Sequence, residues 1–462
     1  MTGKRSMKDD VFGLPVTLAT VEGLSAWNAT QLGFLAHAAS TPGDLAKVLE
    51  AEPHFALGHA VKGMFFLLLA RAELTATARE ALAEARKGAA AVSVSERERL
   101  YITALERWLD SSPSGAVDAM ETVLAATPED ALAMKLSHAI RFTLGDASGM
   151  RASVERVLPA YGADHAARGY LLGCHAFTLE ETGAYEQAEI AGRQALWTAP
   201  NDAWGLHAVA HVYDMTGRSQ SGLKWLEGRE AAWAHCNNFR YHVWWHKALM
   251  HLDQGDIDQV LALYDEQIRA DKTDDYRDIS NGASLLMRLE LEGVDVGDRW
   301  EEMAEISAKR TQDGCLIFAD LHYLMALMRG GEAGDSAAML ARIARDAKLG
   351  EGEIAARMSA PGFDAAAGLA AFSEARFEVA FAHMERARDT LQLAGGSHAQ
   401  RDVFERITID AGLRAGYIDA VERLLCQRQI RRAGSEDAYT ASRRDLIAAA
   451  RGGSGARTMP AQ

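Results

Sequence analysis

The sequence predicts an all-α protein, a right-handed superhelix of stacked helix pairs, and three observations carry that expectation. Only 9 of the 462 residues are proline and alternating β-branched runs are scarce, while alanine is abundant, so intrinsic propensity favours helix almost everywhere. Two glycines that end helical stretches, Gly183 and Gly217, stand 34 residues apart. Two histidine pairs, His207/His211 and His242/His246, repeat at nearly the same interval, 35 residues, so both pairs fill one slot of successive repeats.

From the N-terminus, helical stretches are expected at 24–40 and 42–51, closed by Pro53, and then at 54–71 paired with 74–90. The stretch 95–110 pairs with 113–127 before Pro128, and 131–144 ends at Gly145 ahead of 147–158. The pattern is clearest between Gly183 and Gly255. Tyr185 and Ala188 follow the first glycine, and Ala195 and Pro200 close that unit. The next helix reads Leu206, Val209, Ala210, Tyr213, the spacing of a tetratricopeptide first helix with smaller residues, and stops at Gly217. Tyr241, Trp244, Trp245 and Ala248 restate the frame in a helix about one turn longer, ending at Gly255. Further helices are expected at 278–292, 297–309, 313–329 and 335–347, then 363–373 with 374–394 and 398–415 with 417–431. No long polar linker divides the chain, so one tetratricopeptide-like solenoid is expected over 21–447. An N-terminal arm, 1–20, precedes it, and the Gly-rich 448–462, which lacks an apolar face, is expected to be a disordered tail.

Composition narrows the function classes. The formal charge of -15 argues against nonspecific nucleic-acid binding, which needs Lys and Arg to neutralise phosphates, so no nucleic-acid partner is expected. The basic run Arg428 to Arg432 reads as a solvated helix end. Cys174, Cys236, Cys315 and Cys426 lie far apart without a C-x-x-C, which supports neither a zinc ribbon nor a disulfide framework and fits a reducing cytoplasm. The opening residues lack the apolar run of a signal peptide, and Met64 to Ala70 is too short to span a bilayer. No membrane partner is expected, and homo-oligomer formation is left open. No phosphate-binding G-x-x-x-x-G-K-[ST], dinucleotide G-x-G-x-x-G after a strand, or nucleophile-bearing G-x-S-x-G occurs.

Longer strings resemble the tetratricopeptide repeat protein 38 family. They are Asp202-Ala203-Trp204 followed by His207-Ala-Val-Ala-His211, and His242-x-x-Trp245-His246-x-Ala248-Leu249. Arg288-Leu289-x-x-Glu292-Gly293-Val294-x-Val296-Gly297-x-Arg299-Trp300, Phe318-x-Asp320-x-His322 and Gly395 through Phe404 extend the likeness. It continues more thinly upstream through Gly58-His59-Ala60 and Ser137-His138, covering most of the chain. His398 is a departure, since the family can carry another polar residue there. The resemblance implies helical repeats and no established reaction.

Residues four apart lie on one helix face, so each histidine pair can reach a single ligand, and neighbouring repeats bring the two pairs to a shared space. His207 and His211 each follow a packing position, which directs them toward the inner surface where repeat proteins bind ligands. The expected site is a polar pocket holding His207, His211, His242, His246 and His322, with Trp204 as a wall, and Arg401 and Asp402 at the rim. Its expected ligand is a small molecule or a short peptide end. The alternative is an enzyme in the same pocket, a hydrolase or lyase using these histidines as acid and base or with a metal.

Asp320 and His322 are about 200° apart on a helix, so only one can face the pocket, and His322 is taken as that one. Asp214, Asp265 and Asp278 read as caps or solvated charges. Trp244 and Trp245 read as core. Ser397 with Gln400 fits a capping box, whereas Arg401 either receives an anion at the helix start or pairs with an acid between helices. The four histidines are candidate ligands for a divalent transition metal such as zinc, nickel or iron. Because neither H-x-x-x-H carries the glutamate of a known metalloenzyme motif, the sequence alone is read as water-bridged neutral imidazoles without a tightly held metal.

Overall fold

The computed structural model describes residues 7–454. A two-residue antiparallel ribbon, β1 (Lys8–Asp9) with β2 (Pro15–Val16), precedes an otherwise helical chain. The first eight helices are α1 (Val21–Leu35), α2 (Thr41–Ala51), α3 (Ala56–Leu67), α4 (Ala72–Ala91), α5 (Glu96–Leu109), α6 (Pro113–Ala126), α7 (Ala131–Leu144) and α8 (Ala147–Val157). The central ones are α9 (Arg168–Glu181), α10 (Tyr185–Thr198), α11 (Ala203–Met215), α12 (Ser219–Leu226), α13 (Ala231–Ala234), α14 (Phe239–Asp253), α15 (Ile257–Leu263) and α16 (Tyr276–Leu291). The last nine are α17 (Arg299–Ala308), α18 (Ile317–Gly330), α19 (Ala333–Leu349), α20 (Gly352–Arg357), α21 (Asp364–Ser373), α22 (Phe377–Arg388), α23 (His398–Arg414), α24 (Ile418–Arg431) and α25 (Ala438–Ser454).

Local chemistry sets the helix ends. Asp130, Asp146 and Asp202 precede α7, α8 and α11, and each side chain accepts from a first-turn N–H that has no intrahelical partner. Ser95/Glu98 and Ser397/Gln400 form complete capping boxes at α5 and α23, the second as the sequence predicts. Gly145 ends α7 with φ near 70°, in the left-handed region that a Cβ disfavours.

Short loops fold consecutive helices back on one another, and α1/α2, α3/α4, α5/α6, α9/α10, α17/α18 and α21/α22 pack as pairs. The pairs stack through their first helices, α7 on α9, α9 on α11, α11 on α14 and α14 on α16, giving the tetratricopeptide-like all-α solenoid that the sequence predicts. One continuous apolar core runs from the N-terminal ribbon to α14, and a second from α14 to α23.

Two ends of the chain depart from expectation. The described part of the segment expected as an arm, 7–20, is packed: Val16 and Leu18 are fully buried, and Thr17 donates from its backbone N and its hydroxyl to Glu98 of α5 at 2.9 and 2.7 Å; residues 1–6 lie outside the described residues. At the other end α25 runs to Ser454, so 448–454 continue a helix where a tail is expected; residues 455–462 lie outside the described residues.

Repeats distant in sequence also meet. Ala38 bridges Cys236, and the N–H of Asn237 donates to the carbonyl of His37 at 2.8 Å. Arg310 pairs with Glu73 at 2.7 Å, Gln392 donates to the carbonyl of Gly145 at 2.7 Å, and Ser112 donates to Glu353 at 3.0 Å. The array therefore closes on itself around an interior space.

Candidate functional site

The inner helices carry one slot at nearly constant spacing. His138/Phe142 on α7, Gly173/Phe177 on α9, His207/His211 on α11, His242/His246 on α14 and Arg277/Asn281 on α16 are separated by 35, 34, 35 and 35 residues. Phe177 stacks on His207 with ring centroids 5.7 Å apart. Gly173 is small for a reason: a Cβ there would lie 1.9 Å from Oδ2 of Asp202, the cap of α11.

The two predicted pairs do converge. His211 Nε2 lies 2.9 Å from His207 Nε2, His207 Nε2 lies 3.1 Å from His242 Nε2, and His242 Nε2 lies 3.2 Å from His246 Nε2. All four side chains are buried, with His242 the most exposed at 9%. Burial, reinforced by neighbouring imidazoles, holds His207 and His246 well below the usual histidine range, and burial lowers His242 to about 3. These three imidazoles are therefore neutral at pH 7.

An outer layer surrounds the four. His242 Nδ1 meets Asn281 Oδ1 at 2.8 Å, and His211 Nδ1 lies 3.3 Å from Glu180 Oε2. Glu180 also meets His398 Nε2 at 2.6 Å. Burial would raise Glu180, but His398 and His211 outweigh it and hold the carboxyl at about 2; burial would lower His398, but Glu180 and Glu181 push it up to about 9. Glu180, Glu181, His211 and His398 form a second cluster of potential ligating atoms that shares His211 with the first. Sequence reasoning missed Glu180 and Asn281. Asn281 was reachable by extending the 35-residue frame one repeat, whereas Glu180 lies outside that frame and meets His211 only through the packing of α9 against α11.

Beside the histidines lies a cavity of about 640 Å³, bordered by His207 and His242. Its lining is chiefly apolar, with Phe34, Phe65, Phe142, Phe177, Trp204 and Phe239 among the walls, which corrects the expectation of a polar pocket. The correction has a simple cause: α1 and α3, brought in by closure of the array, supply phenylalanines that the central repeats do not predict. Trp204 is a wall, stacked on His37 at 5.3 Å with an interplanar angle of 15°. Trp245 is fully buried in the core, and Trp244 is half-buried.

Lys135 also faces this cavity and is 3% exposed. Its ammonium sits 4.8 Å from the Trp204 ring centroid and 3.7 Å from Cys174 Sγ, with no carboxylate within 4 Å among the described residues. Burial pushes nearby Asp202 up to about 7 against the pull of Lys135, so that acid is at best a partial counter-charge. Arg277 borders the cavity too, but is committed to Asp275 at 2.5 Å.

The remaining predicted residues lie elsewhere. His322 is buried, with Nδ1 on the carbonyl of Phe318 at 2.7 Å and its ring against Phe318 and Phe404, at 4.4 and 5.2 Å. Phe318, one turn earlier on α18, takes the cavity-lining position instead. Asp320 points away as expected, to a buried ion pair with Arg342 at 2.6 Å. Arg401 donates to the carbonyls of Gly395 and Gly396 and lies 3.7 Å from Glu181, so its donors are directed inward rather than left at a rim. Asp402 pairs with Arg406 and Arg428 and borders a separate cavity of about 250 Å³. Arg428 and Arg432, read from sequence as a solvated end, are instead buried, and pair with Asp437 and Asp214. Asp278 is fully buried and accepts from Asn238 and Thr273, while Asp265 is a half-exposed partner of Arg299.

Comparison with known protein families finds no match. Solved structures similar to this chain include the human IFIT1 dimer with m7Gppp-AAAA and the same dimer with PPP-AAAA. Each is 13% identical with a TM-score of 0.43; the alignments cover 91% of this chain and 93% or 94% of that one. A Naa15/Naa10 complex bound to HypK-THB is 11% identical with a TM-score of 0.25, over 88% of this chain and 63% of that one. The expectation that nucleic acid is no partner is corrected: the IFIT1 structures hold m7Gppp-AAAA and PPP-AAAA, and the net charge that carried the expectation does not decide it. A charge summed over the whole surface does not describe the lining of one cavity, and here Lys62, Lys135 and Arg277 border it. No helix among the described residues is long and apolar enough to cross a membrane.

Proposed function

We propose that the cavity binds a small amphipathic anion, an apolar body ending in a carboxylate, with the terminal carboxylate of a short peptide as the related source. The observation that carries this reading is Lys135, a buried ammonium without a carboxylate partner, set beside aromatic walls. An unpaired buried charge is costly, and an incoming carboxylate would supply its missing partner while the aromatic surface takes the apolar body. The volume is in the range of small-molecule sites, roughly 300 to 1,000 Å³.

Calorimetry with octanoate and with phenylpropionate, each against its neutral amide, tests the reading. The acids should bind and the amides should bind weakly. Lys135→Met should weaken acid binding by about 10- to 100-fold, the worth of a hydrogen bond to a charged group. Equal binding of acid and amide, or an unchanged affinity in a folded Lys135→Met variant, would sink it. A His207→Ala/His246→Ala variant should lose binding with its helical signal intact.

His207 and His242 at the cavity edge favour a second reading, a hydrolase or lyase acting on the same ligand class. Turnover in a substrate screen that disappears in His242→Ala would promote it above the first. The finer family resemblance, to tetratricopeptide repeat protein 38, is kept as a proposal supported by the strings around the histidine pairs. A cytoplasmic setting is likewise proposed, on the support of four free thiols.

A further inference from the structure

We propose that His207, His211, His242 and His246 form a binding site for a divalent transition metal of the zinc type, ligated through their four Nε2 atoms. The proposal stands on the geometry of the imidazoles and does not depend on the ligand proposed for the cavity.

The four potential ligating atoms lie within 4.8 Å of one another. Three of the separations are 2.9, 3.1 and 3.2 Å. A tetrahedral ion with metal–nitrogen bonds of about 2.0 to 2.1 Å requires nitrogens about 3.3 to 3.4 Å apart, so only a few tenths of an ångström separate the observed edges from a ligated set. Hydrogen bonding alone accounts for the cluster poorly. An imidazole Nε2 offers a single in-plane position, either a proton or a lone pair. The contacts run in series from His211 through His207 and His242 to His246, so His207 and His242 would each have to serve two neighbours from that one position. A cation at the centre accepts all four lone pairs at once.

The surroundings point the same way. Metal-ligating histidines commonly present their other nitrogen to a carboxylate or carbonyl, which fixes the tautomer and aims the lone pair. His211 faces Glu180 through Nδ1 at 3.3 Å, and His242 faces Asn281 Oδ1 at 2.8 Å. The Asn281 contact places the proton of His242 on Nδ1 and leaves its Nε2 free to ligate, while the Glu180 carboxylate lies beside His211 Nδ1 without a hydrogen bond to it. The Nδ1 atoms of His207, His211 and His246 have no hydrogen-bond partner among the described residues, so within the cluster the outer contact that orients a ring is the one from Asn281 to His242. Four imidazole nitrogens suit zinc, copper, nickel or iron, and a tetrahedral arrangement suits zinc. This reverses the sequence reading, which looked for the glutamate of a helical H-x-x-x-H motif. Here the acidic residue comes from the preceding repeat and lies beside a ligand.

The test uses the full chain, purified without a polyhistidine tag, stripped with a chelator and titrated with Co(II) alone. One equivalent should bind, with the visible ligand-field bands of a nitrogen-ligated ion, and Zn(II) should displace it. A His211→Ala/His242→Ala variant that keeps its helical circular dichroism should bind none at that site. Should the double variant fail to fold, Asn281→Leu decides, since removing the partner of His242 should weaken Co(II) by about 10-fold or more. No Co(II) uptake by the wild-type chain, unchanged uptake in the folded double variant, or an unaltered affinity in Asn281→Leu would each overturn the proposal.

Discussion

Replacing Asp320 with alanine should lower the free energy of unfolding by about 3 to 5 kcal/mol, the cost of stranding a buried charge. The stranded group is Arg342, which like Asp320 is 1% exposed, and whose guanidinium makes two contacts to the carboxylate at 2.6 and 3.0 Å, leaving it after the substitution only the longer 3.6 Å approach of the more exposed Asp346 as a counter-charge. Burial raises the Asp320 carboxyl even beside this cation, a sign that desolvation of the pair is expensive. The pair is thus weak evidence for net stability, yet severe to break. Urea denaturation should show the midpoint falling with little change in slope. An Asp320→Leu/Arg342→Met double variant should recover most of the loss, because it removes both charges together. A loss under about 1 kcal/mol in Asp320→Ala would mean that Arg342 finds solvent or another acid.

Stability should also fall as the medium is acidified below pH 6.5, and His322 should account for about 3 kcal/mol of that fall at full extent. Burial lowers this imidazole to about 4 against the hydrogen bond to Phe318. The unfolded chain takes up a proton below about 6.5, whereas the folded chain resists until about 4. The contribution is therefore complete above the unfolded value and is lost as pH falls through that window. His37 and His138, also buried and held well below the usual range, act in the same direction. Thermal unfolding of wild type and His322→Gln at pH 7 and pH 5 isolates the effect. The variant should lose less on acidification, and parallel losses in the two proteins would show that His322 is not the source.

The helical solenoid and the slot shared by the two histidine pairs were legible because both are periodic, and a period survives whatever packs around it. Ser397/Gln400 was legible because a capping box is closed within one turn. His322 was misplaced for the opposite reason. A two-residue spacing says that Asp320 and His322 diverge, but which neighbour each meets depends on α19 and α23, far along the chain. Nothing local in the sequence sets Lys135 apart from other helix charges. Its isolation follows from Cys174 and Trp204, which approach it from two later repeats. Arg428 and Arg432 misled in the same way, because a basic run shows its acids only once Asp214 and Asp437 are brought beside it.

Closure of the array bears on how the chain can be cut and how it acquires its shape. In an open repeat protein, stability is roughly a sum over units and nearest-neighbour interfaces, so end units can be trimmed one by one with graded losses. Here Ala38 meets Cys236, Glu73 meets Arg310 and Gly145 meets Gln392, contacts that tie early repeats to segments about two hundred or more residues later. Such ties raise the mean sequence separation of contacts, which slows folding relative to a purely local array. They also make modular dissection unsound. Removing α19 to α25 would withdraw Gln392 from Gly145 and His398 from Glu180, leaving buried polar groups without partners deep inside the repeats that remain. A truncation series should consequently collapse at its first steps instead of declining evenly, and the histidine cluster belongs to the closed ring more than to the two repeats that encode it.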